Sequence, residues 1–240
     1  MNLRNVYVVG LLVLATPLFA AEQEEADKSP WAGKATLGYL ASSGNTDNSN
    51  LKSAFKISYT SGDWKHQFGA IAIFAAQDDE TTAENYEALW KSERNFSEHN
   101  YLFGQLNWRK DRFSGYDTQF SQTAGYGRRL IDTDKHKLNA EIGGGARQSD
   151  LADGTEESET IARGALNYTW QLSETAAFQQ DFVVESGQEN TYLESVTQLS
   201  ATLVGNLALV ASYTVKNNSD VPALTEKTDT FTALSLEYTF

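Results

Sequence analysis

From residue 31 to its last residue the chain runs in stretches that alternate apolar and polar side chains, and this period of two constrains it more than any other feature. In the last stretch Thr232, Leu234, Leu236, Tyr238 and Phe240 share one face, opposite Phe231, Ala233, Ser235, Glu237 and Thr239. Leu51, Ser53, Phe55, Ile57 and Tyr59 stand opposite Lys52, Ala54, Lys56 and Ser58 in the same way. Gly164, Leu166, Tyr168, Trp170 and Leu172 face away from Arg163, Asn167, Thr169 and Gln171, and Leu193, Leu199 and Leu203 from Glu194, Gln198 and Ser200. The pattern predicts twelve strands, over 31–42, 47–60, 63–76, 84–96, 99–111, 117–130, 135–149, 158–172, 175–187, 190–204, 205–216 and 227–240. The stretch 99–111 is ambiguous, because Tyr101 and Phe103 compete with Leu102, Leu106 and Trp108; the latter three are assigned to the apolar face.

A strand that is apolar on one side must cover that side with a second sheet or with lipid. The connections point to lipid. Tight turns at 61–63, 97–98, 173–174 and 205–206, with 132–135 the slackest of the set, alternate with wider polar loops at 77–83, 150–157 and 217–226. The connection at 114–116 falls on the wide side but is short. Outer-membrane barrels sort their connections this way, with tight turns on one side and longer loops on the other. A strand of about 11 residues, rising ~3.3 Å per residue and tilted ~40°, spans roughly the 28 Å of an apolar membrane band. Pro17, Pro30 and Pro222 all fall outside the predicted strands, as closed sheets require. Trp31, Tyr59, Trp64, Tyr86, Trp170, Tyr238 and Phe240 fall near predicted strand ends, where amphipathic rings favour the headgroup region. The fold class read from this is an all-β, antiparallel up-and-down transmembrane barrel of 10 or 12 strands, with 12 favoured. A soluble periplasmic β-sandwich or lipocalin-like binder is the alternative.

The two ends of the chain fit export and insertion. Residues 1–21 read as a signal peptide: Arg4, an apolar run from Val6 to Ala15, a helix-breaking Pro17, then Ala20 and Ala21 before acidic residues. That apolar run is short for a membrane span of about 20 residues. A periplasmic segment over 22–30 and a barrel over 31–240 follow. At the other end Leu234, Leu236, Tyr238 and Phe240 resemble the C-terminal signature read by the barrel-assembly machinery, whose physical need is a free apolar strand edge.

Composition excludes several functions. The net charge of −13 argues against nucleic acid, which demands clustered Lys and Arg. Absence of cysteine excludes thiolate nucleophiles, zinc–thiolate sites and an acylated cysteine anchor. His66, His99 and His136 fall at predicted strand ends with no serine and carboxylate in a hydrolase pattern. The acidic stretches 78–80 and 150–159 lack the ligand spacing of a calcium loop and read as solvated loops. Ser43-Gly-Asn-Thr46 lacks the lysine and helix of a phosphate loop and reads as a hairpin connection. No enzyme, metal or cofactor is expected; the expected partners are outer-membrane lipid, lipopolysaccharide and, during insertion, the assembly machinery.

Trp31-Ala-Gly-Lys-Ala-Thr-Leu-Gly-Tyr39 followed by Ser43-Gly-Asn-Thr46 resembles the start of the YdiY-like family, a group of unknown function described as salt-induced outer membrane proteins. Gly125-Tyr-Gly-Arg-Arg-Leu-Ile-Asp132, His136-Lys-Leu and Glu141-Ile-Gly-Gly-Gly-Ala-Arg147 resemble its central part. The resemblance covers residues 31–240. It implies an outer-membrane barrel and carries over no catalytic residue.

The polar face would line the lumen. By alternation it includes Lys34, Lys52, Lys56, Glu87, Lys91, Glu93, Arg109, Arg129, Glu141, Arg147, Arg163, Asp181, Glu194 and Glu237. Two readings follow. The charges pair and fill the interior, or they ring a narrow pore that passes small hydrophilic solutes. In the second, Arg109, Arg147 and Arg163 lie together toward the outer mouth and favour anions, partly offset by Glu87 and Asp111. The signal-peptide reading makes one prediction: the intact mass of the protein isolated from membranes should begin at Ala21 or Glu22, and a mass retaining Met1 overturns it.

Overall fold

The computed structural model describes residues 29–42, 48–78, 80–111, 114–222 and 225–240. The signal peptide expected over 1–21 and most of the segment 22–30 lie outside them. Twelve strands follow in order: β1 Trp31–Ser42, β2 Asn48–Ser61, β3 Trp64–Gln77, β4 Glu80–Asn95, β5 Asn100–Asp111, β6 Tyr116–Asp132, β7 His136–Leu151, β8 Glu156–Gln171, β9 Ala176–Ser186, β10 Thr191–Val204, β11 Leu207–Asn218 and β12 Thr228–Thr239. Each pairs antiparallel with the next, and β12 returns to β1, so the sheet closes into a barrel. The chain enters and leaves at the same end, called the terminal end here; the opposite end is the loop end.

The alternation decides which face looks where. Leu102, Trp108, Ile142, Leu166, Leu199, Leu234 and Leu236 all point outward and are exposed, Ile142 to 69%. Tyr101 and Phe103 turn inward and are buried, which settles the ambiguous strand β5 as predicted. The apolar faces therefore do not pack against a second layer, as a sandwich requires, nor line an interior, as in a lipocalin. They form an outer band. At its terminal end Trp31 packs on Tyr59 at 4.6 Å between ring centroids, His136 stacks on Trp170 at 5.7 Å, and Tyr238 on Phe240 at 6.4 Å. Tyr86 departs from expectation. It lies inside β4, edge-on to Phe74 at 5.4 Å, because β4 begins at Glu80.

Every strand edge but one falls within two residues of the predicted one; the exception is β4, which begins at Glu80 where 84 was expected. The wide loops expected at 77–83 and 150–157 are narrower, because polar residues there continue the ladder: Gln77 pairs with Glu80, and Asp150 with Glu156. The loop expected at 217–226 is long, between β11 and β12. At the terminal end the two-residue turns at Gly62 and Gly205 hold φ of 55° and 52°, the left-handed region that tight hairpins favour.

Two local features shape the wall. The seam between β1 and β12 is the shortest ladder, running from Lys34 opposite Thr239 to Gly38 opposite Ser235. Phe240 extends it by one pair, exchanging backbone hydrogen bonds with Gly33 at 2.7 and 2.9 Å, while its ring lies over that glycine. On the far side, β6 and β7 coil tightly through Gly125, Gly143 and Gly145. A Cβ on Gly145 would stand 1.8 Å from the Gln122 carbonyl oxygen, and one on Gly143 2.4 Å from that of Ala124. Backbone cannot yield as a side chain can. Gly145→Ala should therefore lower stability by about 1–3 kcal/mol or block assembly, whereas Gly104→Ala, with nothing within 4 Å, should not; urea unfolding in detergent micelles measures both.

Candidate functional site

The inward face is where the charges meet, and they divide by depth. In the loop half, Glu185 on β9 is wholly buried between two arginines. Arg109 Nη1 donates to its Oε2 at 3.2 Å, Ser121 Oγ donates to the same oxygen at 3.2 Å, and Arg147 Nη1 stands 3.9 Å away. Arg147 also grips Glu159 on the neighbouring strand through Nε at 3.2 Å and Nη2 at 2.6 Å. The Arg109 guanidinium lies 4.1 Å from the centroid of the Tyr192 ring, whose hydroxyl donates to Glu194 at 2.6 Å. Beside this set, Lys216 on β11 pairs with Glu87 at 2.5 Å and donates to Asn85 Oδ1 at 3.1 Å.

The loop end is also roofed. Arg147 Nη2 donates to the Asn190 carbonyl at 2.5 Å, in the turn between β9 and β10. The Asn190 side chain donates to Asn218 Oδ1 at 2.8 Å and accepts from Ser219 Oγ and the Asp220 amide, both at 3.3 Å. Tyr116 OH donates to the Asp220 carbonyl at 3.0 Å. Side chains and connections thus meet over this part of the mouth. A pocket among Asn85, Arg109, Tyr116, Tyr192 and Lys216 holds about 20 Å³, room for a water molecule.

Deeper, on the β4–β8 side, Glu141 collects Lys91, Arg163 at 2.9 Å and the Tyr101 hydroxyl at 2.8 Å, and Lys91 also pairs with Glu93 at 3.1 Å. Phe103 lies under both Lys91 and Arg163, at 5.2 Å from each cation. Opposite this cluster the lumen is less filled. Lys34 and Lys56 are exposed, and Ser58, Gln67 and Asp181 half-exposed, although all face inward. Lys34 pairs with Glu237 at 2.7 Å. Asp181 is held by amides, Asn167 Nδ2 at 2.9 Å and Gln179 Nε2 at 2.6 Å. Arg129, near the terminal mouth, donates to Asn95 Oδ1 at 2.8 Å and to the Glu98 carbonyl at 3.1 Å.

Every sequence-predicted lumen residue thus faces inward, but the roles differ from those expected. Arg109, Arg147 and Arg163 do not form a free cationic ring, since each is buried on a carboxylate. Glu159, expected in a solvated loop, is one of those carboxylates. Glu185, Tyr192, Asn190 and Lys216 were missed. Stepping by two from Asp181 reaches Val183 and Glu185, so the signal was present. Leu234, Leu236, Tyr238 and Phe240 lie outward on the closing strand.

Residues 35–240 match the family described as a protein of unknown function, DUF481. Uncharacterized protein YdiY of Escherichia coli (strain K12) is 32% identical over 245 residues, spanning 96% of this chain and 97% of that one. The chain belongs to the DUF481 family. Among solved structures, an outer membrane channel from Pseudomonas putida F1 shares the fold at a TM-score of 0.50 and 8% identity, over 93% of this chain and 99% of that chain. For this DUF481 barrel the likeness extends to fold alone.

The buried pairs make one prediction. Removing an anion that neutralises two buried guanidiniums leaves uncompensated charge, so Glu185→Ala should cost about 3–5 kcal/mol. Glu185→Leu combined with Arg109→Met should recover part of that loss, and urea unfolding in micelles tests both.

Proposed function

We propose that this protein is an outer-membrane barrel of a Gram-negative bacterium, exported with its leader, inserted through the C-terminal strand ending at Phe240, and non-conducting at rest. It serves the envelope as a structural element under osmotic or salt stress, with lipid and lipopolysaccharide as its surroundings. One observation carries the non-conducting reading: the loop half of the lumen is filled by the Arg109–Glu185–Arg147–Glu159 chain and roofed by the Asn190 turn. The pocket beside that chain, about 20 Å³, has room for a water molecule and not for a hydrated solute. The less filled terminal half makes the lumen a blind vestibule, which in this orientation opens to the periplasm.

A narrow channel for small hydrophilic solutes is the second reading, favoured by the continuous charged face from Lys34 to Lys216. It requires the buried ion pairs to part. Purified protein in planar bilayers should stay silent, while a variant carrying Glu185→Ala and Arg147→Ala should give discrete conductance steps. Steady unitary conductance from the unaltered protein overturns the closed reading. Envelope leakiness on deletion of the protein, without loss of any solute uptake, supports the structural role.

A further inference from the structure

The vestibule contains a cation that the ion-pair network leaves out. Lys56 on β2 has no hydrogen-bond or ion-pair partner among the described residues, although carboxylates line the same lumen. Its directly opposed neighbour on β1 is another cation, Lys34. Like charges at such a cross-strand position are destabilising. Lys34 is offset by Glu237, and Asp181, a carboxylate that acts on Lys56 across the lumen, is occupied by two amide donors. A second inward cation, Lys52, stands one step of four residues, about 13 Å, deeper on the same strand, with the Ser212 hydroxyl at 3.2 Å as its partner.

The wall around Lys56 is also built of small residues. Its neighbour on β3 is Gly69, and the inward residues before and after it on β2 are Ala54 and Ser58. A Cβ on Gly69 would make ordinary contacts, to the Phe55 carbonyl oxygen at 3.8 Å and Leu89 Cβ at 3.9 Å, so a methyl fits there and a larger side chain would reach over Lys56. Where β1 to β3 could have filled the lumen with side chains, they leave a shelf floored by small residues and flanked by two ammonium groups.

We infer that this shelf, Lys56 with Lys34 over Gly69, is a binding site for a small multivalent oxyanion entering from the terminal end. A ligand of this class supplies the missing counter-charge. Three or more oxygens let it accept hydrogen bonds from both ammonium groups and from the Ser58 hydroxyl or the Gln67 amide. Phosphate-bearing and polycarboxylate compounds share this chemistry. The site uses the open end of the vestibule and not the closure of the other, so a barrel that conducts and still binds at Lys56 would overturn the closed reading and leave this one standing.

The test is calorimetric titration of the detergent-purified full barrel with pyrophosphate and, separately, citrate, at constant ionic strength. Saturable binding of either is expected, and the preferred one assigns the ligand's chemistry. Lys56→Gln should weaken it by about tenfold or more. Lys56→Arg should largely retain it, and Lys137→Gln, in an exposed pair with Asp132, should leave it unchanged. Gly69→Val should abolish it by filling the shelf, with folding verified by heat-modifiable gel mobility. Lys56→Gln should also unfold no more readily than the unaltered protein, because it removes a repulsion. No saturable binding, equal binding by Lys56→Gln, or loss in Lys137→Gln to the same degree would mean counter-ion screening only, and would overturn the site.

Discussion

Hydrocarbon offers no hydrogen bonds, and that constraint organises the whole molecule. A strand surrounded by lipid must satisfy each N–H and C=O through a neighbouring strand, so the sheet either closes or does not exist. Closure here rests on the β1–β12 seam, the shortest ladder of the twelve, and on the pair formed by Gly33 and Phe240. The terminal aromatic can lie flat over the seam because its partner has no side chain. The same demand explains why the apolar face is on the outside, and why the charged face, driven inward, must then find its own neutralisation.

That neutralisation has a cost. Glu185 keeps one oxygen, Oε1, without a hydrogen-bond partner, and the Nε atoms of Arg109 and Arg163 lack one as well. Buried ion pairs with imperfectly satisfied atoms add little net stability compared with apolar packing. Apolar side chains do fill part of the lumen, as Ile161, Tyr101 and Phe103 show. The charges nevertheless dominate the loop half, where Arg109, Arg147, Glu159, Glu185 and Lys216 meet. Where the lumen is filled this way, attraction fills it and not bulk.

The sequence made the strands legible because alternation is a local signal, and twelve runs with proline outside them admit few foldings. Which side chains face the lumen was legible for the same reason. Partners were legible only where pairing is local: Arg147 and Glu159 face each other across the β7–β8 hairpin, so register alone brings them together. Lys91 and Glu141 sit on β4 and β7, which are not neighbours, and no property of either segment announces the other. Polar strand ends were misread as loops at 77–83 and 150–157, since a polar residue in a ladder beyond the apolar band looks like one in solvent. The roof was invisible, because the role of Asn190 depends on a second connection, β11–β12, reaching the turn in which it lies.

That asparagine has a mechanical consequence. Its main-chain oxygen takes an arginine from the barrel interior, its amide nitrogen a second asparagine at the end of β11, and its side-chain oxygen the start of the longest described connection. It works as a keystone does in an arch: a pull on any one of these segments is transmitted to the other two, so the three move as a single cooperative element in place of separate loops.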